Sequence, residues 1–369
     1  MNIKFVNLPR QNNQLRMELF PIIKRSISEA DFIMGQTLVN FEKRFAKYCN
    51  KKYAIGVNSG TDAIKLALMA YGVGQGDEVI TVPNGYFSTA MVISQTGARA
   101  VFVDIDPQTL LIDINNIEKA ITKKTRAIIP VHLCGQPVDM APIIELSKQY
   151  KLVVIEDACQ AHGAYYNGEK VPYGETGAFS FYPSKNLGCF GDGGALVTND
   201  FAVYKKVLYL RNDGSYKKNI HNTFGLKSRL DTLQAAILNT KLSYLDNWNE
   251  KRREHAQQYT KLLSDIKEIK LPKELPNRRH VYHLYVIQYH KRDGLQNYLR
   301  KAGVETGIHY PIPIHLQGAY KKENYHKGDF PITEAKSKVI LSLPMFPELT
   351  KKEIIFITNK IREFVTINH

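Results

Sequence analysis

Residues 152–158 read LVVIEDA, four apolar residues followed by two acids and an alanine. A short apolar run rich in β-branched residues predicts a strand with both faces buried. Working outward toward the N-terminus, Met140–Tyr150 has helical spacing, and three more such runs precede it: Arg126–Leu133 (RAIIPVHL), Ala100–Ile105 (AVFVDI) and Glu78–Pro83 (EVITVP). On the other side lie Ala178–Pro183 (AFSFYP) and Gly194–Asn199 (GALVTN), separated by a glycine-rich turn. Strands alternating with helices predict an α/β fold with a mainly parallel central sheet flanked by helices. Ligands in such sheets bind beyond the carboxyl ends of the strands. That places Asn84–Thr89, His132–Gln136, Asp157–His162 and Ser180–Lys185 on one rim.

Amphipathic helices are predicted around Leu38, Phe41, Phe45 and Tyr48, and around Ile64, Ala67, Leu68 and Tyr71. One long helical pattern runs from about Leu230 to Leu263 and is expected to link two domains. At 369 residues the chain exceeds the size at which single cores stop growing. The expected division is 1–245, a large domain with the N-terminal segment, and 246–369, a smaller α+β domain. The latter would hold a strand at His283–Tyr289, a helix near Asp293–Lys301 and a loop at His309–Tyr320.

No apolar h-region occurs in the first twenty residues and no apolar run is long enough to span a membrane. A cytoplasmic protein is the expectation. The four cysteines are widely spaced with no CxxC, which excludes a zinc ribbon or a thioredoxin-like motif. Cys159 and Cys189 read as small core residues rather than nucleophiles. The net charge of +15 is spread as pairs such as Lys51-Lys52 and Lys351-Lys352. The densest run, Lys251-Arg252-Arg253, lies between Glu250 and Glu254. A solvated basic surface is expected, able to steer an anionic substrate. Neither nucleic acid nor membrane is an expected partner.

Three segments carry candidate chemistry. Asn58–Asp62 (NSGTD) opens a helix, and a glycine-bearing helix N-terminus offers free N–H groups to an anion. Capping alone would explain the same residues. No GK[ST] occurs, which excludes a P-loop, and no GxGxxG follows a strand. Asp157, at a strand tip, either caps a turn or presents an anion to a protonated pyridine nitrogen. Lys185 follows an apolar strand and precedes Gly188, Gly191, Gly193 and Gly194. A lysine partly withdrawn from water has a lowered pKa and can form a Schiff base. The Tyr182-to-Lys185 spacing is YxxK, one residue short of a short-chain dehydrogenase dyad.

Together NSGTDAIKLAL, VFVDIDPQTL, IIPVHLCGQPVDM, VIEDACQAHGA, FSFYPSKNLGCFGDGGALVTND, SRLDTLQAAIL and GIHYPIPIHLQGAY resemble the DegT/DnrJ/EryC1/StrS family of sugar aminotransferases, over essentially the whole chain. The resemblance implies the aspartate-aminotransferase (type I) fold and pyridoxal 5'-phosphate (PLP), cycling through pyridoxamine 5'-phosphate (PMP). It implies that Lys185 is the catalytic lysine that bonds the cofactor, Asp157 the partner of its pyridine nitrogen, Gln160 of its phenolic oxygen, and Tyr86 the aromatic stacked on its ring. Gly60, Thr61 and Ser180 would cradle the phosphate. Tyr182, His309, Tyr310 and His315 would contact substrate; two histidines six apart on a proline-broken loop do not suggest a metal site.

The resemblance further implies a homodimer with shared active sites, in which the Ser228–Asp231 loop reaches the neighbour's cofactor. Two departures stand out: Lys227 where the family has Asn, and Asp213 where it has Tyr or His. The implied substrates are L-glutamate and a nucleotide-linked keto-6-deoxyhexose, with dTDP-3-keto-6-deoxyhexose favoured. A 4-aminotransferase acting on a UDP-, GDP- or dTDP-4-keto sugar is the alternative. Outside the class stand a PMP-dependent sugar dehydratase, whose members carry His where Lys185 stands, and a non-catalytic regulator.

Overall fold

The computed structural model describes residues 1–217 and 219–368. Seven strands form the central sheet: β1 (Tyr53–Val57), β2 (Glu78–Thr81), β3 (Arg99–Phe102), β4 (Thr125–Ile128), β5 (Val153–Asp157), β6 (Thr176–Ser180) and β7 (Gly194–Thr198). Their order across the sheet is β1-β7-β6-β5-β4-β2-β3. Only β7 runs against the rest, pairing antiparallel with both β1 and β6. The parallel α/β prediction is therefore met, and the six sheet strands anticipated in the sequence are present in shortened form. β1 escaped the reading because YAIGV carries a glycine and follows directly on Lys51-Lys52. Gly56 is needed there: a Cβ would come within 2.8 Å of Leu38 Cδ1.

Helices cover both faces. Gly60–Ala70 and Phe87–Gln95 pack into one buried cluster with Val57, Val79 and Leu196. Gln36–Tyr48 and Thr232–Leu242 meet on the other side, where Phe41, Phe45, Phe179 and Phe181 stack edge to face. These rings fix the underside of β6, the strand that leads to Lys185.

The long pattern from Leu230 to Leu263 is two helices, Thr232–Leu242 and Leu245–Leu263. The Ser243 and Tyr244 N–H groups bond three residues back, to Thr240 and Lys241, which tightens and ends the first helix. The bend lets Trp248 join Leu15, Leu19 and Ile237 in a separate apolar cluster. Periodicity alone could not locate it, because Leu242 and Leu245 keep helical spacing across the break.

A second core gathers Tyr259, Leu263, Leu295, Leu299 and Ile361 around β8 (Tyr285–Gln288) and β9 (Ile340–Leu343), an antiparallel pair. The two cores exchange segments of chain. Ile3 belongs to the second core and bridges Val304, whereas Ile314, Tyr320 and Phe330 belong to the first.

The Lys251-Arg252-Arg253 run differs from its solvated reading. Arg252 is buried, and its guanidinium donates to the carbonyls of Tyr282 and Met345. Arg253 bonds the Glu274 carboxylate and the His280 carbonyl. These contacts tie the linking helix to the segment before β8, a tertiary role that a charge pattern does not reveal. Among the described residues no helix is long and apolar enough to cross a membrane.

Candidate active site

A cavity of about 440 Å³ opens at the carboxyl ends of β5 and β6, on the rim that the strand pattern marked. Gly60, Thr61, Tyr86, Asp157, Gln160, Ser180, Tyr182, Lys185, His309 and Tyr310 all line it. Residues from five separate stretches of sequence thus converge on one space.

Asp157 ends β5. Its Oδ2 accepts from the Thr89 hydroxyl at 2.7 Å and its Oδ1 from the Cys159 N–H at 3.1 Å. The carboxylate is held from two sides and keeps lone pairs for a further donor. Beneath it, Glu156 points the other way, bonding His132 and the N–H groups of Tyr173 and Gly174. The strand alternates its two acids, one to structure and one to the cavity.

Lys185 sits in a loop doubled back on itself. Its N–H bonds the Tyr182 carbonyl, and the Cys189 N–H bonds that of Phe181. A Cβ at Gly188 would fall 2.3 Å from the Pro183 oxygen, so the loop closes only around glycine. Burial lowers the Lys185 pKa, with Cys159, Asp157 and Cys134 pulling partly the other way. A lowered pKa enlarges the share of neutral amine, the form that attacks a carbonyl.

At the first turn of Gly60–Ala70, the Ser59 hydroxyl accepts from the Asp62 N–H. Among the described residues the N–H groups of Gly60 and Thr61 take no protein partner. Ser180 faces them across the cavity wall: a Cβ on Gly60 would lie 2.7 Å from the Ser180 Cβ and 2.6 Å from the Cys159 sulfur. Free N–H groups, a hydroxyl and a helix N-terminus in so close an array could hold an anion such as a phosphate. The Gln160 side chain is pinned by the Cys134 N–H at its oxygen and reaches the Tyr310 hydroxyl through its nitrogen. Tyr86 is 57% exposed and leans over the opening, 5.6 Å from the Tyr310 ring.

Two expected residues are elsewhere. His315 is buried, its Nε2 donates to the Glu334 carboxylate and its ring packs edge-on against Phe330. The 3₁₀ turn at Ile314–Leu316 turns its ring into the core, so it is a structural residue and does not reach the cavity. Lys227 lies outside this chain's cavity with a largely exposed side chain, 3.7 Å from Asp213. Thr89 and His283 were not singled out in the sequence and Cys159 was read only as a small core residue, yet all three touch the cavity. The Cys159 thiol is pushed well up by burial and by Asp157, which keeps it protonated and no nucleophile.

Residues 13–362 match the DegT/DnrJ/EryC1/StrS aminotransferase family. The chain belongs to this family. A Geobacillus stearothermophilus relative, named a pleiotropic regulatory protein, is 45% identical over 99% of both chains. The dTDP-3-amino-3,6-dideoxy-alpha-D-galactopyranose transaminase of Aneurinibacillus thermoaerophilus is 43% identical over 95% of this chain and 96% of its own. Among solved structures, S. venezuelae DesV in complex with a ketimine intermediate superposes with a TM-score of 0.96 at 42% identity, covering 98% of each chain. The family fold and the PLP-dependent aminotransferase class follow. The cavity fits that cofactor: an anion cradle at one end, a fixed carboxylate at the other and a lysine of lowered pKa in its wall.

Proposed function

We propose that the enzyme transfers the amino group of L-glutamate to a dTDP-linked 3-keto-6-deoxyhexose, yielding the 3-amino sugar. The observation that supports this most directly is a lysine and a clamped carboxylate sharing one cavity, in a chain 43% identical to a dTDP-3-amino-sugar transaminase. The product would serve a surface glycan or an antibiotic sugar.

When bound, PLP supplies an electron sink that lets a carbon beside the nitrogen give up and regain its proton. The Gly60 and Thr61 N–H groups and the Ser180 hydroxyl hold its phosphate in this reading. Asp157 keeps its pyridine nitrogen protonated, Gln160 bonds its phenolic oxygen and Tyr86 covers its ring. Lys185 would bond the cofactor at rest and afterwards carry the proton at Nζ between the cofactor carbon and the sugar carbon. Tyr182, His309 and Tyr310 border the space left for the sugar.

A homodimer completes the site in this proposal. Helix Arg16–Glu29 exposes Met17, Phe20 and Ile27, the following turn exposes Phe32, Ile33 and Met34, and Phe224 is 96% exposed. Large apolar side chains left exposed in this number are suited to a protein contact. Lys227, bare to solvent on this chain, would reach the partner's phosphate as a point charge in place of asparagine.

The name of the Geobacillus relative favours a second reading, a regulator without catalysis. The intact cavity weighs against it. An absorbance spectrum with PLP, before and after L-glutamate, separates the two. Wild type should show a visible absorption band that moves to shorter wavelength with glutamate, and Lys185→Ala should lack the first band. No such band in wild type, or an identical one in Lys185→Ala, sinks the assignment. Keto-sugars differing in carbon position and nucleotide then identify the acceptor, and a 4-keto preference would select the alternative.

A further inference from the structure

His283 precedes β8 and presents its ring to the cavity, alongside Lys185 and His309. A chain of amides fixes which of its nitrogens carries hydrogen. Asn249 donates to the His162 carbonyl at 2.8 Å, so its oxygen faces Asn186. Asn186 donates to that oxygen at 2.8 Å and to the Val281 carbonyl at 3.0 Å. Carbonyls only accept, so both Asn186 hydrogens are committed and its own oxygen is left for the His283 Nδ1 at 3.2 Å. Nδ1 is therefore the donor. Nε2 carries the lone pair, has no hydrogen bond among the described residues and is not sealed from the cavity.

The same amide ties His283 to the active lysine, since Asn186 is the next residue after Lys185. The Lys185 amine likewise has no hydrogen bond among the described residues. We propose that His283 is a positioning residue for Lys185: its Nε2 accepts a hydrogen bond from the amine whenever that amine is not bonded to the cofactor, and so aims it at the carbon whose proton it carries. No such bond exists in the present conformation. The flexible lysine stem makes it by swinging within the shared cavity.

The charged and titratable groups around His283 agree with a permanent acceptor. Burial first, then the charges of Lys185 and Arg252, with His309 and His162 adding to them, hold the imidazole well below its ordinary pKa. Arg252 is fixed on the carbonyls of Tyr282 and Met345 and so keeps its place beside the ring. A cation cannot accept a hydrogen bond, so the neutral ring is the competent form.

The proposal rests on Lys185 as the cofactor lysine, which the spectrum of Lys185→Ala tests separately. Its own test compares His283→Asn, whose amide can keep the Asn186 bond but is too short to replace Nε2, with His283→Gln, whose carbonyl reaches that position. Both proteins are loaded with PMP, which frees the lysine. The midpoint of Lys185 acylation against pH is then read by mass spectrometry. An acceptor favours the ammonium form, so His283→Asn should lower this midpoint and His283→Gln should restore it. In steady state, His283→Asn should lower kcat by about ten- to hundredfold, the effect of one hydrogen bond to a charged group. The KM for the amino donor should hold, and the isotope effect with α-deuterated glutamate should rise. An unchanged midpoint overturns the proposal. So does failure of His283→Asn to fold, which makes the role structural, or a change confined to the sugar's KM, which makes His283 a substrate contact.

Discussion

The Thr89 hydroxyl donates to the Asp157 carboxylate at 2.7 Å, across a distance of 68 residues in sequence. Helix Phe87–Gln95 thereby sets the direction of the one acid that β5 sends into the cavity. Thr89→Val keeps the shape and removes the donor. A hydrogen bond to a charged group is worth about 1.5–3 kcal/mol, so kcat should fall by about tenfold or more, with the fold intact by circular dichroism. Asp157→Asn should cost far more, on the order of 10²–10³ in kcat, as does loss of a preorganised charge partner. Equal activity of Thr89→Val and wild type would remove the hydroxyl from any functional role.

Gly60 is tightly packed at the helix end proposed to cradle the phosphate. A methyl group there meets the Cys159 sulfur at 2.6 Å and the Ser180 Cβ at 2.7 Å. Neither neighbour yields easily, because Cys159 follows the Asp157 clamp and Ser180 ends β6. Gly60→Ala should destabilise the protein by about 1–3 kcal/mol, the usual range for overpacking, and should weaken PLP binding more than it lowers the melting temperature. Fluorescence titration of the cofactor beside a thermal melt compares the two, and unaltered affinity would refute the cradle.

Lys227 and Asp213, the two positions read from the sequence as departures from the family pattern, face one another at 3.7 Å. The backbone joins them as well, through an antiparallel bridge between Asn212 and Lys227. Both side chains are substantially exposed, so the ion pair contributes at most about 1 kcal/mol. Lys227→Ala should therefore leave the melting temperature nearly unchanged. If the residue reaches the partner's phosphate, PLP affinity should fall several-fold in this variant, and the wild-type affinity should weaken as salt is added. Unchanged affinity at low salt would assign Lys227 to its own surface alone.

The parts of the site that could be read from sequence are those where residue type and position on a strand coincide. Asp157 and Ser180 stand at strand tips and Lys185 in a loop that only glycines allow to close, so sheet geometry alone put them on one rim. Thr89 is a different case. Nothing in FSTAMVISQ distinguishes its hydroxyl from those of Ser88 or Ser94, and only the packing of the helix against β5 selects it. His283 was masked by the apolar run behind it, which reads as strand. His315 and Arg252 erred in opposite directions, a polar residue taken for a site contact and a charged one taken for surface. Each is buried beside partners supplied by distant segments, Glu334 for the first and the Tyr282 and Met345 carbonyls for the second.

Buried neutral histidines give the fold an acid sensitivity that begins above the carboxylate range. Burial, with the charge of Lys185 added, lowers His162 to about 3 and His309 to about 4. Burial and Arg253 lower His280 to about 3, and His283 is lowered well below its ordinary value. In the unfolded chain each titrates near about 6.5. Between that value and the folded ones, the unfolded state binds more protons, so stability falls as pH falls. The loss should start near pH 6.5 and continue to about pH 4. Glu353 acts lower. Burial opposes its ionisation, but the Arg10 bond and the Thr350 cap outweigh burial and pull it down to about 2. Its contribution is complete above about pH 4.3 and is lost only as pH drops toward 2. Melting temperatures taken from pH 8 to pH 4 should hold steady to about pH 7 and then decline, with a shallower slope in His280→Asn. A flat profile down to pH 5 would mean that these rings take up protons in the folded protein, and the neutral acceptor assigned to His283 would then need direct titration by NMR.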